Sequence, residues 1–225
     1  TNFDGLGWNF YTITTSTIGP NFVSLYVNGV LVSTNTSGLV SYPYTDTGPI
    51  SIGAYYSPSS GYSGSVVGPN NYLTGYIDDI RQYNYTLTPA QIKNIYNNTL
   101  KSISFTDINS YVFRLQSKSS IVPQYDTTGI YSVTNSGNVT MVNDLTRGYV
   151  FNFSGTNYLS ITADTKVNST KTFWLKTSTP KSGTGNVFSS TNYPVWFAST
   201  LYLGFQPSYT TPTPSKTSDP NYQGN

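Results

Sequence analysis

Apolar and polar residues alternate along much of the chain, which is the pattern of β-strands that bury one face. The alternation is clear in residues 10–14 and 22–27, and the dipeptide Asn28-Gly29 follows the second run directly. Both central residues of a type I′ turn need a positive φ, so this dipeptide predicts a tight hairpin into residues 30–32. Similar runs predict strands at 50–53, 73–83, 111–115, 149–153, 158–161, 172–176 and 201–205. Short strands at this spacing predict a sandwich of two sheets.

One segment departs from the alternation and predicts a short helix near residues 88–97. Thr88 is a suitable N-cap, and Pro89 fits the first helical position. The apolar residues of the segment share one stripe at helical spacing: Ile92, Ile95 and Tyr96. We therefore expect an amphipathic helix that docks on the sheet. Loops are predicted where Gly, Pro, Ser and Tyr accumulate: 55–71, 178–185 and 206–225.

Composition narrows the classes of function. Of the 225 residues, 36% are hydrophobic and 9% are charged, against roughly 25% charged in an average soluble domain. All nine acidic residues are aspartates, and the chain has no glutamate, histidine or cysteine. These absences exclude Ser-His-Asp and Cys-His nucleophiles, thiolate or imidazole zinc sites and a glutamate general acid. The composition therefore favours one all-β domain, or two small ones, over a helical enzyme.

The distribution of charge argues against several partners. The formal net charge is +2, and the eleven Lys and Arg residues are scattered singly, so we expect no nucleic-acid partner. Residues 1–100 carry two cations and four aspartates, net −2, while residues 101–225 carry nine cations and five aspartates, net +4. The two halves would therefore attract each other weakly. No apolar run approaches the roughly 20 residues of a membrane span, and Thr1 in place of Met predicts a processed or excised piece.

Three stretches of residues 1–100 occur in a specific order after Trp8: Phe22-Val-Ser-Leu-Tyr-Val-Asn-Gly-Val-Leu-Val, Ile50-Ser-Ile-Gly, and Leu73-Thr-Gly-Tyr-Ile-Asp-Asp-Ile-Arg-Gln-Tyr, which leads into the predicted helix. In this order and spacing they resemble the closing half of a laminin G-like domain of the concanavalin A-like lectin and glucanase superfamily. The resemblance implies an all-β fold, a concanavalin A-like jelly-roll sandwich with one short helix near 88–97.

The second half of the chain resembles the opening half of the same fold. The residues that carry this resemblance are Tyr111-Val-Phe-Arg-Leu, Asp126-Thr-Thr-Gly, Arg147-Gly-Tyr-Val-Phe-Asn-Phe and Lys171-Thr-Phe-Trp-Leu. In family order they would precede Trp8, so the closing half (1–100) is predicted to come before the opening half (101–225). Two explanations stay open. Either the halves close on each other within the chain as a circular permutant, or each half completes a neighbouring copy in an open array.

The predicted loops suit carbohydrate recognition. A sugar needs flat apolar surfaces for its C–H groups, and amides or carboxylates for its hydroxyls. The loops supply aromatic and amide side chains for such a site: Tyr55, Tyr56, Tyr62, Asn70, Asn71, Tyr72, Tyr209 and Tyr222. Loops rich in Tyr and Asn also make protein contacts, so a glycan and a cell-surface protein are both expected partners. Trp174 and Trp8 are interpreted as core residues.

Relatives in this family often bind a structural calcium ion through Asp oxygens and backbone carbonyls. The resemblance makes four aspartates candidate ligands: Asp78, Asp79, Asp126 and Asp144. The alternative for Asp79 is that it and Arg81 are an i, i+2 pair on one face of a strand, where each satisfies polar groups of strand ends or loops. Three arginines share no motif and are interpreted as single surface or sheet-rim residues rather than a carboxylate-binding triad: Arg81, Arg114 and Arg147. No other cofactor is expected.

Six Asn-x-Ser/Thr sequons point to an extracellular, cell-surface or virion-surface location. They are Asn35, Asn84, Asn97, Asn138, Asn152 and Asn168. The alternative is that a composition rich in Asn, Ser and Thr generates sequons by chance. Both interpretations stay open from the sequence.

The sequence therefore predicts a non-enzymatic extracellular or surface recognition module that is carbohydrate-binding or adhesive. The β-glucanases of the superfamily carry Glu-x-Asp-x-x-Glu on their catalytic strand, and a chain without Glu cannot use that pair. A different class of function is a structural subunit of a surface fibre or virion appendage, which self-associates by exchange of half domains. An enzyme would need a pair of aspartates roughly 5–9.5 Å apart in a cleft.

Overall fold

The computed structural model describes ten ranges of the chain: 7–16, 22–36, 49–54, 72–99, 112–116, 119–163, 168–177, 185–189, 195–198 and 202–205. Fourteen strands and one helix lie in these ranges. The strands are β1 (Asn9–Ser16), β2 (Phe22–Val27), β3 (Val30–Asn35), β4 (Pro49–Ile52), β5 (Thr74–Tyr83), β6 (Phe113–Leu115), β7 (Val133–Ser136), β8 (Thr140–Asp144), β9 (Gly148–Ser154), β10 (Tyr158–Thr162), β11 (Ser169–Thr177), β12 (Gly185–Ser189), β13 (Val195–Ala198) and β14 (Tyr202–Phe205). The helix is α1 (Pro89–Thr99).

The strands form two antiparallel sheets that pack face to face. The first sheet has eight strands in the order β3-β2-β1-β11-β5-β9-β8, and β6 pairs with β5 in addition. The second sheet has six strands in the order β14-β13-β12-β4-β10-β7. The predicted all-β sandwich is confirmed, and it is a concanavalin A-like arrangement.

The hydrophobic core fills the space between the two sheets. The eight-stranded sheet contributes Ile77 and Phe113, and the six-stranded sheet contributes Ile52, Leu159 and Phe188, all of them buried. The rings of Phe113 and Phe188 stack across the sandwich with centroids 6.3 Å apart. Burial of these apolar side chains from both layers holds the sheets together.

The predicted hairpin forms at Asn28-Gly29, between β2 and β3. Asn28 has a φ of 53° and Gly29 a φ of 74°, as a type I′ turn requires. The Asn28 side-chain oxygen also accepts the backbone N–H of Phe10, at 2.9 Å. The turn residue thereby ties the hairpin to β1.

Helix α1 packs on the outer face of the eight-stranded sheet, which is the face turned away from the six-stranded sheet. Its N-terminus is a capping box, because the Thr88 N–H donates to the Gln91 side chain at 2.8 Å and the Gln91 N–H donates to the Thr88 hydroxyl at 3.3 Å. Ile92 and Ile95 are buried in a second cluster with Trp174. The predicted helix is confirmed and extends two residues further. No helix in the described part of the chain has the length and apolar character to cross a membrane.

Strands from the two halves of the chain alternate in both sheets. In the eight-stranded sheet β11 lies between β1 and β5, and in the six-stranded sheet β4 lies between β12 and β10. Residues 1–100 and 101–225 therefore contribute to the same two sheets.

Four strands are absent from the sequence-based prediction: β7, β8, β12 and β13. Strands β7 and β8 contain no fully buried residue, so they lack the alternation that marks a half-buried strand. The predicted loop 178–185 is too long by one residue, because β12 begins at Gly185.

Candidate functional site

Strand β5 carries a β-bulge at its two consecutive aspartates. On the neighbouring β11, Thr172 pairs with Arg81 and Trp174 pairs with Asp78. Between these pairs β5 has one residue more than its partner, and Asp79 has a φ of 51°. A bulge of this kind re-aims side chains on the strand that contains it.

The bulge keeps both flanking isoleucines in the core. Ile77 and Ile80 belong to the cluster between the sheets, although strict alternation would send side chains three residues apart to opposite faces. The carboxylates of Asp78 and Asp79 both lie on the outer side, where they meet arginines. The bulge is the local reason why Ile-Asp-Asp-Ile fits a buried strand.

Asp79 is held by two arginines. Arg81 Nη2 lies 2.6 Å from Asp79 Oδ2, and Arg114 Nε lies 2.7 Å from Asp79 Oδ1. Burial alone would raise the pKa of Asp79, but the two guanidinium groups outweigh burial and hold its pKa below the usual value. Arg114 comes from β6, so this cluster also links the two halves of the chain.

Asp78 has one arginine and a higher cost of ionisation. Arg147 Nε donates to Asp78 Oδ2 at 2.8 Å. Burial raises the pKa of Asp78 to about 6, Arg147 opposes this only in part, and the neighbouring Asp79 charge adds to it. Asp78 and Arg147 form a second ion pair between the halves.

Arg147 is fixed by aromatic rings and by the end of helix α1. Its guanidinium carbon lies 4.2 Å from the Trp174 ring centroid and 5.7 Å from the Trp8 ring centroid. Its Nη1 donates to the Thr99 carbonyl at 3.1 Å. The guanidinium group is therefore enclosed between Asp78, two indole rings and the helix terminus.

The interpretation of the three arginines as single surface or sheet-rim residues is wrong. Arg81, Arg114 and Arg147 are all buried, and each pairs with Asp78 or Asp79. The sequence shows no shared motif because the bulge and the strand pairing bring these residues together. Their guanidinium groups are engaged by carboxylates of the chain itself.

Helix α1 covers one part of the outer face. Tyr96 stacks on Trp174 with ring centroids 5.8 Å apart, and the Trp174 indole N–H donates to the Thr99 hydroxyl at 3.1 Å. Trp174 is buried, in agreement with its interpretation as a core residue. Trp8 packs at the edge of the same cluster and is only partly buried.

Beside the helix, the outer face carries a line of partly buried and exposed polar and aromatic residues. In the cross-strand register Thr140 pairs with Asn152, Asn152 with Tyr76, and Tyr76 with Lys176. Trp8, directly before β1, lies opposite Lys176 in the same register. Cross-strand partners share one face of a sheet. We call these five residues the outer-face row.

Lys176 lies between the two aromatic residues of the outer-face row. Its Nζ lies 5.9 Å from the Trp8 ring centroid and 5.8 Å from the Tyr76 ring centroid, and 3.1 Å from Asp144 Oδ2. Its side chain is 33% exposed, against 13% for Asp144. Burial is the largest single effect and opposes ionisation of Asp144, but hydrogen bonds from the Thr146 N–H, Lys176 and Trp8, with the charge of Lys176, together lower its pKa below the usual value. The Asp144 carboxylate is therefore ionised near neutral pH.

The outer-face row combines the groups that a polyhydroxylated ligand needs. It has two aromatic rings, an amide, a hydroxyl, an ammonium group and the adjacent Asp144 carboxylate. The Asn152 amide donates to the Thr140 hydroxyl at 3.2 Å, so neighbouring polar groups are already oriented. A rigid sheet holds such groups more accurately than a loop does.

Residues 3–93 match the laminin G-type family model of the concanavalin A-like lectin/glucanases superfamily. The match agrees with the resemblance that the motifs of residues 1–100 carry. The laminin G-like match contains β1–β5 and ends inside α1, so it includes both aspartates of the bulge, Trp8 and Tyr76. Asn152 and Lys176 lie outside it, and the resemblance of residues 101–225 to the opening half stays a prediction. No curated protein sequence matches the chain.

Most of the residues predicted to contact a ligand lie outside the described residues: Tyr55, Tyr56, Tyr62, Asn70, Asn71, Tyr209 and Tyr222. Tyr72 is described and partly buried. Its ring centroid lies 6.5 Å from that of Tyr158, which belongs to β10 in the six-stranded sheet of the laminin G-like sandwich. Tyr72 is therefore not part of the outer-face row.

The four candidate calcium ligands have protein partners. Asp78, Asp79 and Asp144 pair with the arginines and the lysine described above. Asp126 accepts the N–H and the hydroxyl of Thr128, at 3.0 and 2.7 Å. Within the described ranges there is no group of three or more acidic side chains that could hold a metal ion. Calcium binding at these aspartates stays a prediction, and the hydrogen bonds above compete with it.

The sequons occupy varied surroundings. Asn35, Asn97 and Asn138 are exposed, while Asn84, Asn152 and Asn168 are partly buried. In three of them the hydroxyl residue has a role in the fold: Thr86, Thr99 and Thr170 each donate to a backbone carbonyl, at 2.7, 2.8 and 3.0 Å. The hydrogen bonds of these threonines account for their presence without glycosylation. Glycosylation of the six asparagines stays a prediction.

Sequence reasoning did not identify the outer-face row. Tyr76 is two residues before Asp78, and Lys176 is two residues after Trp174. Alternation therefore places Tyr76 on the same face as Asp78, and Lys176 on the same face as Trp174. The sequence marks Asn152 as a strand residue and a sequon and Trp8 as a core residue, and it marks neither as a ligand contact. The row forms only because particular strands lie side by side, and a single sequence does not show which strands are neighbours.

Proposed function

We propose that the protein is a non-enzymatic recognition module that binds carbohydrate and so acts as a lectin-like or adhesive domain at an extracellular, cell or virion surface. The single observation that carries this proposal is the outer-face row. Its aromatic, amide and charged side chains lie in line on the part of the sheet that α1 leaves uncovered. The match of residues 3–93 to the concanavalin A-like lectin/glucanases superfamily supports the same function.

Two further observations support a non-enzymatic role. The chain has no glutamate, histidine or cysteine to serve as general acid, base or nucleophile. The described aspartates of the bulge are neutralised by arginines, whereas a glycosidase needs one carboxyl group free to give a proton and one free to attack or to activate water.

A glycan array with the whole chain tests this function. We expect binding to a defined set of oligosaccharides, and we expect Tyr76→Ala to weaken it at least tenfold because the row loses one of its two rings. Tyr125→Ala is the matched control, since Tyr125 is 56% exposed outside the row. Absence of binding to any glycan, or equal losses in the two variants, would contradict the proposal.

A second candidate is a structural subunit of a surface fibre or virion appendage that assembles by exchange of half domains. The interleaving of β11 and β4 with strands of the other half favours it, since the same pairings can form between two copies. We propose closure within the chain as the resting arrangement. Molar mass in solution separates the two arrangements.

A further inference from the structure

We propose that the Lys176–Asp144 pair makes the outer-face row selective for neutral oligosaccharides over acidic ones. The inference rests on the proposed function and names the class of ligand. It concerns two residues outside the part of the chain that matches the laminin G-type family model.

The charges at the row are paired. The Lys176 ammonium lies 3.1 Å from the Asp144 carboxylate, and the Arg147 guanidinium beneath Trp8 lies 2.8 Å from the Asp78 carboxylate. Lys176 and Arg147 each have their own anion, so these four groups together have a formal charge of zero. An acidic sugar would gain little from Lys176, and its carboxylate would approach Asp144 as a like charge.

Lys176 and Asp144 have hydrogen-bonding capacity beyond the bond that joins them. An ammonium group has three donors, and one of those of Lys176 serves Asp144 Oδ2. Asp144 Oδ1 accepts the N–H groups of Thr146 and Arg147, at 2.8 and 3.1 Å, which is as many hydrogen bonds as one carboxylate oxygen accepts. The carboxylate is also stabilised by the Trp8 side chain, so a ligand hydroxyl would share Oδ2 with Lys176 and displace or join the Trp8 N–H. The pair thus presents a donor beside an acceptor, which matches neighbouring hydroxyl groups. A uronate carboxylate accepts only, so it cannot satisfy Asp144.

The side chains of the row are held in place before a ligand binds. Trp8 has the Arg147 guanidinium 5.7 Å from its ring centroid and the Lys176 ammonium at 5.9 Å. Tyr76 flanks Lys176 on the other side at 5.8 Å. Side chains held in this way lose little further freedom when a ligand binds. The five strands that carry the row span roughly 19 Å at about 4.8 Å per strand, so the row suits a chain of several sugar rings.

Paired oligosaccharides test the inference. Neutral probes are oligosaccharides of glucose, mannose and galactose, and acidic probes are the uronic-acid oligosaccharides of the same length, measured by calorimetry at two salt concentrations. For the unchanged chain we expect the neutral member of the best-bound pair to bind at least tenfold more tightly. We expect Lys176→Met to lose at least tenfold in affinity for the neutral probe, with no gain for the acidic one.

Asp144→Asn is the decisive variant, because its side-chain oxygen still accepts the N–H groups of Thr146 and Arg147 while its charge is gone. We expect it to bind the acidic probe at least threefold more tightly than the unchanged chain does, with an affinity that falls as salt rises. Lys93→Met is the matched control, since Lys93 also lies over a ring, that of Tyr96 at 4.9 Å, but on α1. It should leave both affinities unchanged.

The outcomes separate the two proposals. Tighter binding of the acidic probe to the unchanged chain, or an unaltered preference in Asp144→Asn, would overturn the inference while glycan binding stands. Failure of every probe, neutral and acidic, would overturn the inference, and absence of binding across the whole glycan array would overturn the proposed function as well. If Asp144→Asn melts at a lower temperature than the unchanged chain, Lys176→Met alone decides, and equal affinity of that variant for the neutral probe would overturn the inference.

Discussion

At the scale of single residues, burial and an arginine act in opposite directions on the pKa of Asp78. Its carboxylate is almost fully buried, has one arginine partner at 2.8 Å and has Asp79 as its neighbour. Burial is the largest effect and raises the pKa of Asp78 to about 6. Asp79, with two arginines, keeps a lowered pKa in almost the same place. The number of guanidinium partners, rather than burial, separates the two carboxyl groups.

The raised pKa of Asp78 predicts a specific dependence of stability on pH. Between the pKa of about 6 in the folded state and the usual value near 4 in the unfolded state, the folded chain binds more protons. Its free energy of unfolding, compared with that of Asp78→Asn, should therefore rise by up to about 3 kcal/mol as pH falls from about 6 to about 4. Below about pH 4 the difference should stay constant. Urea unfolding of both proteins from pH 7 to pH 4 measures this difference.

The control for that measurement is Asp144, whose pKa is shifted in the opposite direction. The pKa of Asp144 is lowered, so the stability that its charge contributes is lost only as pH falls below about 4. Asp144→Asn should therefore match the unchanged chain in slope between pH 6 and pH 4. Parallel curves for Asp78→Asn and the unchanged chain in that window would contradict the raised pKa.

At the scale of elements, one close contact between the sheets depends on a glycine. Gly53 follows β4 of the six-stranded sheet and has a φ of +88°. A Cβ at this position would overlap the ring of Phe153, which lies in β9 of the eight-stranded sheet. The Gly53 N–H donates to Val187 at 3.1 Å and its carbonyl accepts from Leu73 at 2.8 Å, so the backbone has little freedom to withdraw.

Gly53→Ala should destabilise the protein more than a matched glycine substitution elsewhere. Gly129 has a φ of +73° with nothing within 4 Å of a built Cβ, so Gly129→Ala should cost only the strain of a positive φ, about 1–2 kcal/mol. Gly53→Ala adds the overlap with Phe153, which should cost about 1–3 kcal/mol more. Chemical denaturation of both variants measures the difference, and equal losses would show that the sheets can separate locally at no cost.

At the scale of the whole molecule, the two halves of the chain share sheets and ion pairs. Residues 1–100 contribute four strands and residues 101–225 contribute four strands to the eight-stranded sheet. The Asp78–Arg147 and Asp79–Arg114 pairs join the halves on the outer face. The excess of aspartates in the first half and of cations in the second is used at this junction. Removal of either partner would leave a buried charge, which is strongly destabilising.

Closure of the halves predicts the molar mass of the protein in solution. If the halves close within the chain, light scattering behind a sizing column should give 24.7 kDa at every concentration. This is the result we expect, because closure within one chain avoids the entropic cost of association. A mass that grows with concentration into open oligomers would instead support exchange of half domains and the fibre candidate.

Local features of the fold were predictable to different degrees. The hairpin at Asn28-Gly29 and helix α1 were predictable because turn chemistry and capping act within a few residues. The exposed strands β7 and β8 were not, because solvent on most sides removes the alternation. The laminin G-like resemblance depended on motif order in residues 1–100, and the family match covers this same part.

The sequence by itself determined the all-β character of the protein, the helix near residues 88–97, the tight hairpin and the residue types absent from any site. These follow from periodicity, propensity and composition, which are local properties. Only the tertiary structure decided that β11 inserts between β1 and β5, that a bulge turns Asp78 and Asp79 to one face, and that Lys176 meets Trp8 and Tyr76. Strand neighbours and register are set by burying all strands at once, so the side chains of the candidate site meet only in the folded chain.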